Sequence, residues 1–126
     1  MPTPDDDATR LAVLIISHDP LASALLGAAV EIAGHAPHFP QDGERVRVSL
    51  LRVRPRLVLV DCEHDEACSE SFVGPSLMTG ARILLFRSSR SRVPVKDFVS
   101  RLGLRTVELP SDSAFLMQQI RDSLAH

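Results

Sequence analysis

Three short runs in this chain carry almost nothing but aliphatic and aromatic side chains: Leu11–Ile16 (LAVLII), Leu57–Val60 (LVLV) and Ile83–Phe86 (ILLF). A strand with one wet face alternates apolar and polar residues, whereas a run apolar at every position must be covered on both sides. Such strands belong to a parallel sheet held between layers of helix. The stretches between them carry the helix signals. Asp19 before Pro20 fits an N-cap and a first-turn proline; Leu25, Ala28 and Ile32 then mark one face, and Gly34 fits the closing position.

The remaining elements follow in the same alternation. Ala36–Phe39 reads as a short strand demoted to a sheet edge by Pro37 and Pro40. A helix runs from Gly43 to about Arg54 on Val46, Leu50 and Val53, and Pro55 stops it. A short, poor helix near Ser71–Met78 is expected to break at Gly74–Pro75. A helix from Pro94 to Gly103 precedes a fifth strand, Arg105–Leu109. Ser111 or Asp112 then caps a last helix built on Leu116, Ile120 and Leu124. The order is (βα)5, a doubly wound α/β domain over residues 10–126, after a tail at 1–9 expected to be disordered. Ligand sites in such sheets lie at the carboxyl ends of the strands. The residues there are Ser17–Asp19, Asp61–His64, Arg87–Ser89 and Leu109–Pro110.

Composition narrows the function. At 126 residues the chain holds one domain with a core that needs no metal or disulfide, and no cofactor is expected. Two cysteines are too few for a disulfide scaffold, no apolar run approaches ~18 residues, and MPTPDDDATR lacks the pattern of a signal peptide. A cytoplasmic domain without membrane contact is the expectation. Net charge is −2, and Trp and Tyr are both absent, which weighs against a surface that stacks nucleic-acid bases. No G-x-G-x-x-G or phosphate-binding loop occurs, and without a G-x-S-x-G elbow a catalytic role for His18 with Ser17 or Ser88 is not expected.

From residue 10 onward the chain resembles the receiver domain of bacterial response regulators. The resemblance rests on AGHAPHFPQDGERVRVSLLRVRPRLVLVD, in which Gly34, Gly43, Pro55 and Asp61 fall in register without a gap. ISHDPLASALL and LGLRTVELPSDSAFLMQQI resemble the receiver's start and end. It implies a flavodoxin-like sheet in strand order 2-1-3-4-5, with Asp61 as the phosphoacceptor equivalent. The pocket around it departs from the family. Receivers hold magnesium with two adjacent acids after the first strand; here Ser17 and His18 stand there, with Asp19 one residue late. Arg87 falls where the fourth strand ends in Thr or Ser, with Ser88 one step beyond. Leu109 replaces the lysine before Pro110, and Thr106 replaces the switch aromatic. The resemblance therefore implies a degenerate, non-catalytic pseudo-receiver working by protein–protein contact. Two rivals stand beside it: a nucleotide or anion sensor using Arg87, Arg90 and Ser88, and an atypical receiver still phosphorylated at Asp61.

Other groupings have plainer accounts. Cys62, His64 and Cys68, with Asp61 or Asp65, form one irregular cluster where structural zinc sites show paired knuckles, so a solvated loop is expected and no metal. His18 is a candidate proton sensor near Asp61, against a loop histidine with no role. Residues 61–70 hold five acids, whereas Arg82–Arg105 hold seven bases against Asp97 alone. The resemblance implies a partner-binding or homodimer face on the fourth helix, fifth strand and fifth helix, with Phe98, Arg101, Arg105 and Thr106 on it. Arg87, or failing it His18, is expected to balance the Asp61 carboxylate.

Overall fold

The computed structural model describes residues 10–88, 90–92, 94–109 and 112–125. The expected tail at 1–9, Pro110 and the Ser111 cap lie outside the described residues, as does Ser89. Among the described residues ten elements alternate: β1 (Ala12–Ile16), α1 (Pro20–Ile32), β2 (Ala36–His38), α2 (Val46–Val53), β3 (Leu57–Asp61), α3 (Glu70–Met78), β4 (Arg82–Ser88), α4 (Asp97–Arg101), β5 (Arg105–Leu109) and α5 (Ser113–Ala125). All strand pairs are parallel, in the order β2-β1-β3-β4-β5, as expected. The short strand that contains Pro37 does lie at the edge.

The sheet separates two apolar layers. Leu14, Ile16, Val58, Val60 and Leu85 face Val46 and Leu50 of α2, Phe72 and Val73 of α3, and Phe98 and Val99 of α4. Val13, Ile15, Leu57, Leu59, Leu84 and Phe86 face Leu26, Ala29 and Val30 of α1 and Leu116 and Ile120 of α5. Burial on both faces is what the unbroken aliphatic runs required.

Four helices differ from expectation, α2 in that it begins at Val46 and not at Gly43, whose φ of 75 is not helical. In α1 the buried face is Leu26, Ala29 and Val30, whereas Leu25 and Ala28 are exposed and Ile32 is 65% exposed. The sequence PLASALLGAAVEI is apolar nearly all round, so periodicity alone does not set its phase. Contacts set it instead: a Cβ on Gly27 would come within 3.0 Å of the Phe39 ring, so the glycine side of the helix faces that ring. In α3 the helix continues through Gly74–Pro75, because Phe72, Val73 and Ser76 are buried and Ser76 Oγ donates to the Phe72 carbonyl at 2.7 Å. In α4 only Asp97–Arg101 is helical; Leu102 N–H donates to the Phe98 carbonyl at 2.9 Å, and Gly103 at φ 66 turns the chain into β5.

Candidate functional site

Asp61 ends β3 and is 8% exposed. Its Oδ2 accepts the Ser17 hydroxyl at 2.7 Å, and its Oδ1 accepts the Glu63 N–H at 2.9 Å. Ser17 Oγ also accepts the Asp19 N–H at 3.0 Å, so the loop after β1 is tied directly to the carboxylate. Asp19 caps α1: its Oδ1 accepts Leu21 N–H at 3.0 Å and Ala22 N–H at 3.4 Å. Two hydrogen bonds from a hydroxyl and a backbone amide offset the desolvation of the Asp61 carboxylate.

A cavity of about 320 Å³ opens beside Asp61. Leu21, Ala22, Leu25, Phe86 and Leu109 make its apolar wall, and Asp19, Glu63, Ser88 and Arg90 complete its polar lining. Leu109 is buried at the end of β5, where it belongs to the apolar layer of α1 and α5.

The expected Asp61–Arg87 pair does not form. Asp61 stands opposite Phe86 in the register, and successive side chains on a strand point to opposite faces. Phe86 and Ser88 therefore share the Asp61 side, and Arg87 points to the other. Its Nη2 donates to the Ser91 carbonyl at 2.9 Å, while its Nε is buried with no hydrogen-bond partner. The hydroxyl at the end of β4 is thus Ser88, which lines the cavity and whose Oγ accepts the Arg90 N–H at 3.2 Å.

His18 does not hydrogen-bond to Asp61 either. Its ring stacks on His64, with centroids 4.1 Å apart and planes 14° from parallel. His64 is itself 8% exposed, and its Nδ1 accepts the Ala67 N–H at 3.1 Å. Among the described residues, no three His, Cys, Asp or Glu side chains converge as a metal site requires. Cys62 and Cys68 are free thiols, the second buried. The hydrogen bond from Cys62 and the nearby Lys96 ammonium draw the Cys68 thiol down to about 7 against the opposing effect of burial. The same bond, with burial, pushes the Cys62 thiol up. EDTA should leave Tm unchanged in a thermal melt, whereas a fall reversed by added zinc would make the 62–68 loop a structural metal site.

The other expected residues scatter. Phe98 is 6% exposed and packs in the core, so it cannot offer its ring to a partner. Arg101 is ion-paired with Glu70, and Arg105 Nη1 donates to Gln119 Oε1 at 3.4 Å. Thr106 is exposed on β5. Glu63 falls in the Asp61–His64 stretch expected at the strand ends, whereas nothing in the sequence singled out Phe86, whose side depends on the register of β4 against β3.

No protein-family model and no curated protein matches the sequence. Solved structures do. A response regulator from Thermotoga maritima superposes with a TM-score of 0.70 at 13% identity, over 93% of this chain and 99% of that one. Vibrio cholerae chemotaxis protein CheY4 gives 0.72 at 15%, over 92% and 100%. The receiver domain of Klebsiella pneumoniae RstA gives 0.69 at 18%, over 91% and 99%. The chain has the receiver fold of response regulators. No helix among the described residues is long and apolar enough to cross a membrane.

Proposed function

We propose that the chain is a cytoplasmic, non-enzymatic pseudo-receiver that signals through protein–protein contact. One observation carries this reading: Asp61 is kept at the end of β3, but its carboxylate is satisfied by Ser17 and the Glu63 amide. Magnesium takes oxygen ligands in a near-octahedral shell, usually with carboxylates. Here one of the two acid positions holds Ser17, whose hydroxyl donates to Asp61, and the other holds His18, stacked on His64. Asp19 commits an oxygen to the α1 cap. The absence of the adjacent acid pair after β1 supports a pocket that does not hold that ion as receivers do. Leu109 leaves an apolar wall where phosphoryl transfer calls for a positive charge.

One observation favours the atypical receiver as a second reading: Ser88 supplies a hydroxyl on the Asp61 side. Acetyl phosphate with Mg²⁺, followed by intact mass, separates the two. No phosphoryl adduct is expected; an adduct that disappears in Asp61→Asn would establish the atypical receiver. An anion sensor has less support, because Arg87 points away and Asp19, Asp61 and Glu63 outnumber Arg90 around the cavity. The contact face proposed is α4, β5 and α5, through Arg101, Arg105 and Thr106, without Phe98. Reversing Arg101 and Arg105 to Glu should weaken self-association in sedimentation or capture of a partner; unchanged behaviour in both would remove this face.

A further inference from the structure

We infer that the stacked His18–His64 pair is a proton-sensitive latch, holding the loop after β1 against the loop after β3 beside Asp61 and releasing when it is protonated. The inference concerns the two loops that border the Asp61 pocket of the proposed function, the histidines themselves lining a neighbouring cavity, and its operation requires neither phosphorylation nor a partner.

Three contacts build the latch. The first is the parallel stack, at 4.1 Å between ring centroids. Two neutral imidazoles tolerate that arrangement; two imidazolium ions repel across it. The second is the Ala67 N–H donated to His64 Nδ1 at 3.1 Å. That bond fixes the neutral ring with its proton on Nε2, because Nδ1 is the acceptor. Protonating His64 puts a hydrogen on Nδ1 facing the amide hydrogen, and the bond is lost. The third is the backbone turn carrying the ring: His64 N–H donates to the Asp61 carbonyl at 3.0 Å, and its own carbonyl accepts Cys68 N–H at 2.8 Å.

His18 connects the latch to the pocket. It lies between Ser17, which donates to Asp61 Oδ2, and Asp19, which caps α1. Freeing the His18 ring therefore loosens the residue that satisfies the carboxylate.

The charges facing the pair come from each neighbouring segment. Asp61, Glu63, Asp65 and Glu66 belong to β3 and its loop, while Asp42 and Glu44 come from the segment before α2. Arg45 is ion-paired with Glu66, and Arg52 with Glu44. The carboxylates favour an imidazolium; burial and the partner ring oppose it. Burial, then His18, holds His64 below the ordinary histidine value of 6.5. The sign follows from linkage. The unfolded chain binds the proton more readily, so this stabilisation is complete above 6.5 and is lost as pH falls towards the lowered native value.

His35 titrates in the same direction, and its Nδ1 accepts Leu11 N–H at 3.1 Å, so a melting curve alone does not isolate the latch. Ring and amide NMR signals of the full chain between pH 8 and 5 do. His64 is expected to titrate below the ordinary range, with the Ala67 and Ser17 amides shifting at the same midpoint. His18→Phe keeps a flat ring on His64 without the second charge, so the His64 midpoint should rise. His64→Gln should abolish the shared amide transition; if it fails to fold, His18→Phe carries the test. The latch is overturned if His64 titrates at or above the ordinary value, or if its ring titrates while the two amides stay still. An unchanged His64 midpoint in His18→Phe overturns it equally.

Discussion

Phe98→Ala should remove about 3–5 kcal/mol of folding stability, the usual cost of emptying a buried aromatic site. The ring is 6% exposed and packs in the layer that contains Val99, Phe72, Val73 and Leu85. It also anchors a helix of only five residues, which has little hydrogen bonding of its own. Arg105→Glu, on the exposed surface nearby, should stay within about 0.5 kcal/mol of the parent. Urea unfolding of both variants checks the contrast. A Phe98→Ala variant that unfolds like the parent, but associates less, would return the ring to the surface.

Phe98 shows what a sequence conceals. Its neighbours Lys96, Asp97 and Arg101 are charged, and a family resemblance puts that helix on a contact face. The helix is amphipathic within five residues, too short for a period to declare which side is inside. The strands were legible for the opposite reason. Burial on both faces strips Val13–Ile16 and Leu57–Val60 of polar side chains, a pattern that few other environments produce. Helix α1 failed as a periodicity test because apolar residues surround it, leaving Gly27 against Phe39 to fix the rotation.

The pocket was legible in its membership more than in its contacts. Ser17, Asp19, Asp61, Ser88 and Leu109 do gather at the carboxyl ends of the strands. Which of Arg87 and Ser88 faces Asp61 depends on the register between β3 and β4, and a one-residue slip reverses every side chain. A single strand carries no record of that register. The His18–His64 stack joins two loops far apart in the chain, so local pattern gives no sign of it. Ungapped counting along a family pattern assigns positions but does not assign faces.

Ser17→Ala should destabilise the domain by about 2 kcal/mol, because it withdraws the hydroxyl from a carboxylate that has little access to water. The Asp19 amide loses its acceptor in the same substitution, and both losses act on the loop after β1. Adding Asp61→Asn should recover part of this cost, since a neutral amide needs less compensation than a carboxylate left with the Glu63 N–H. The pair should therefore show a coupling above about 0.5 kcal/mol in a double-mutant cycle. Arg87→Ala and Asp61→Asn should instead be additive to within about 0.5 kcal/mol, because the two side chains leave the sheet on opposite faces. Urea unfolding of the parent, the three single variants and the two doubles decides both cycles. Strong coupling of Arg87 to Asp61, with none between Ser17 and Asp61, would mean that the guanidinium and not the hydroxyl balances the carboxylate.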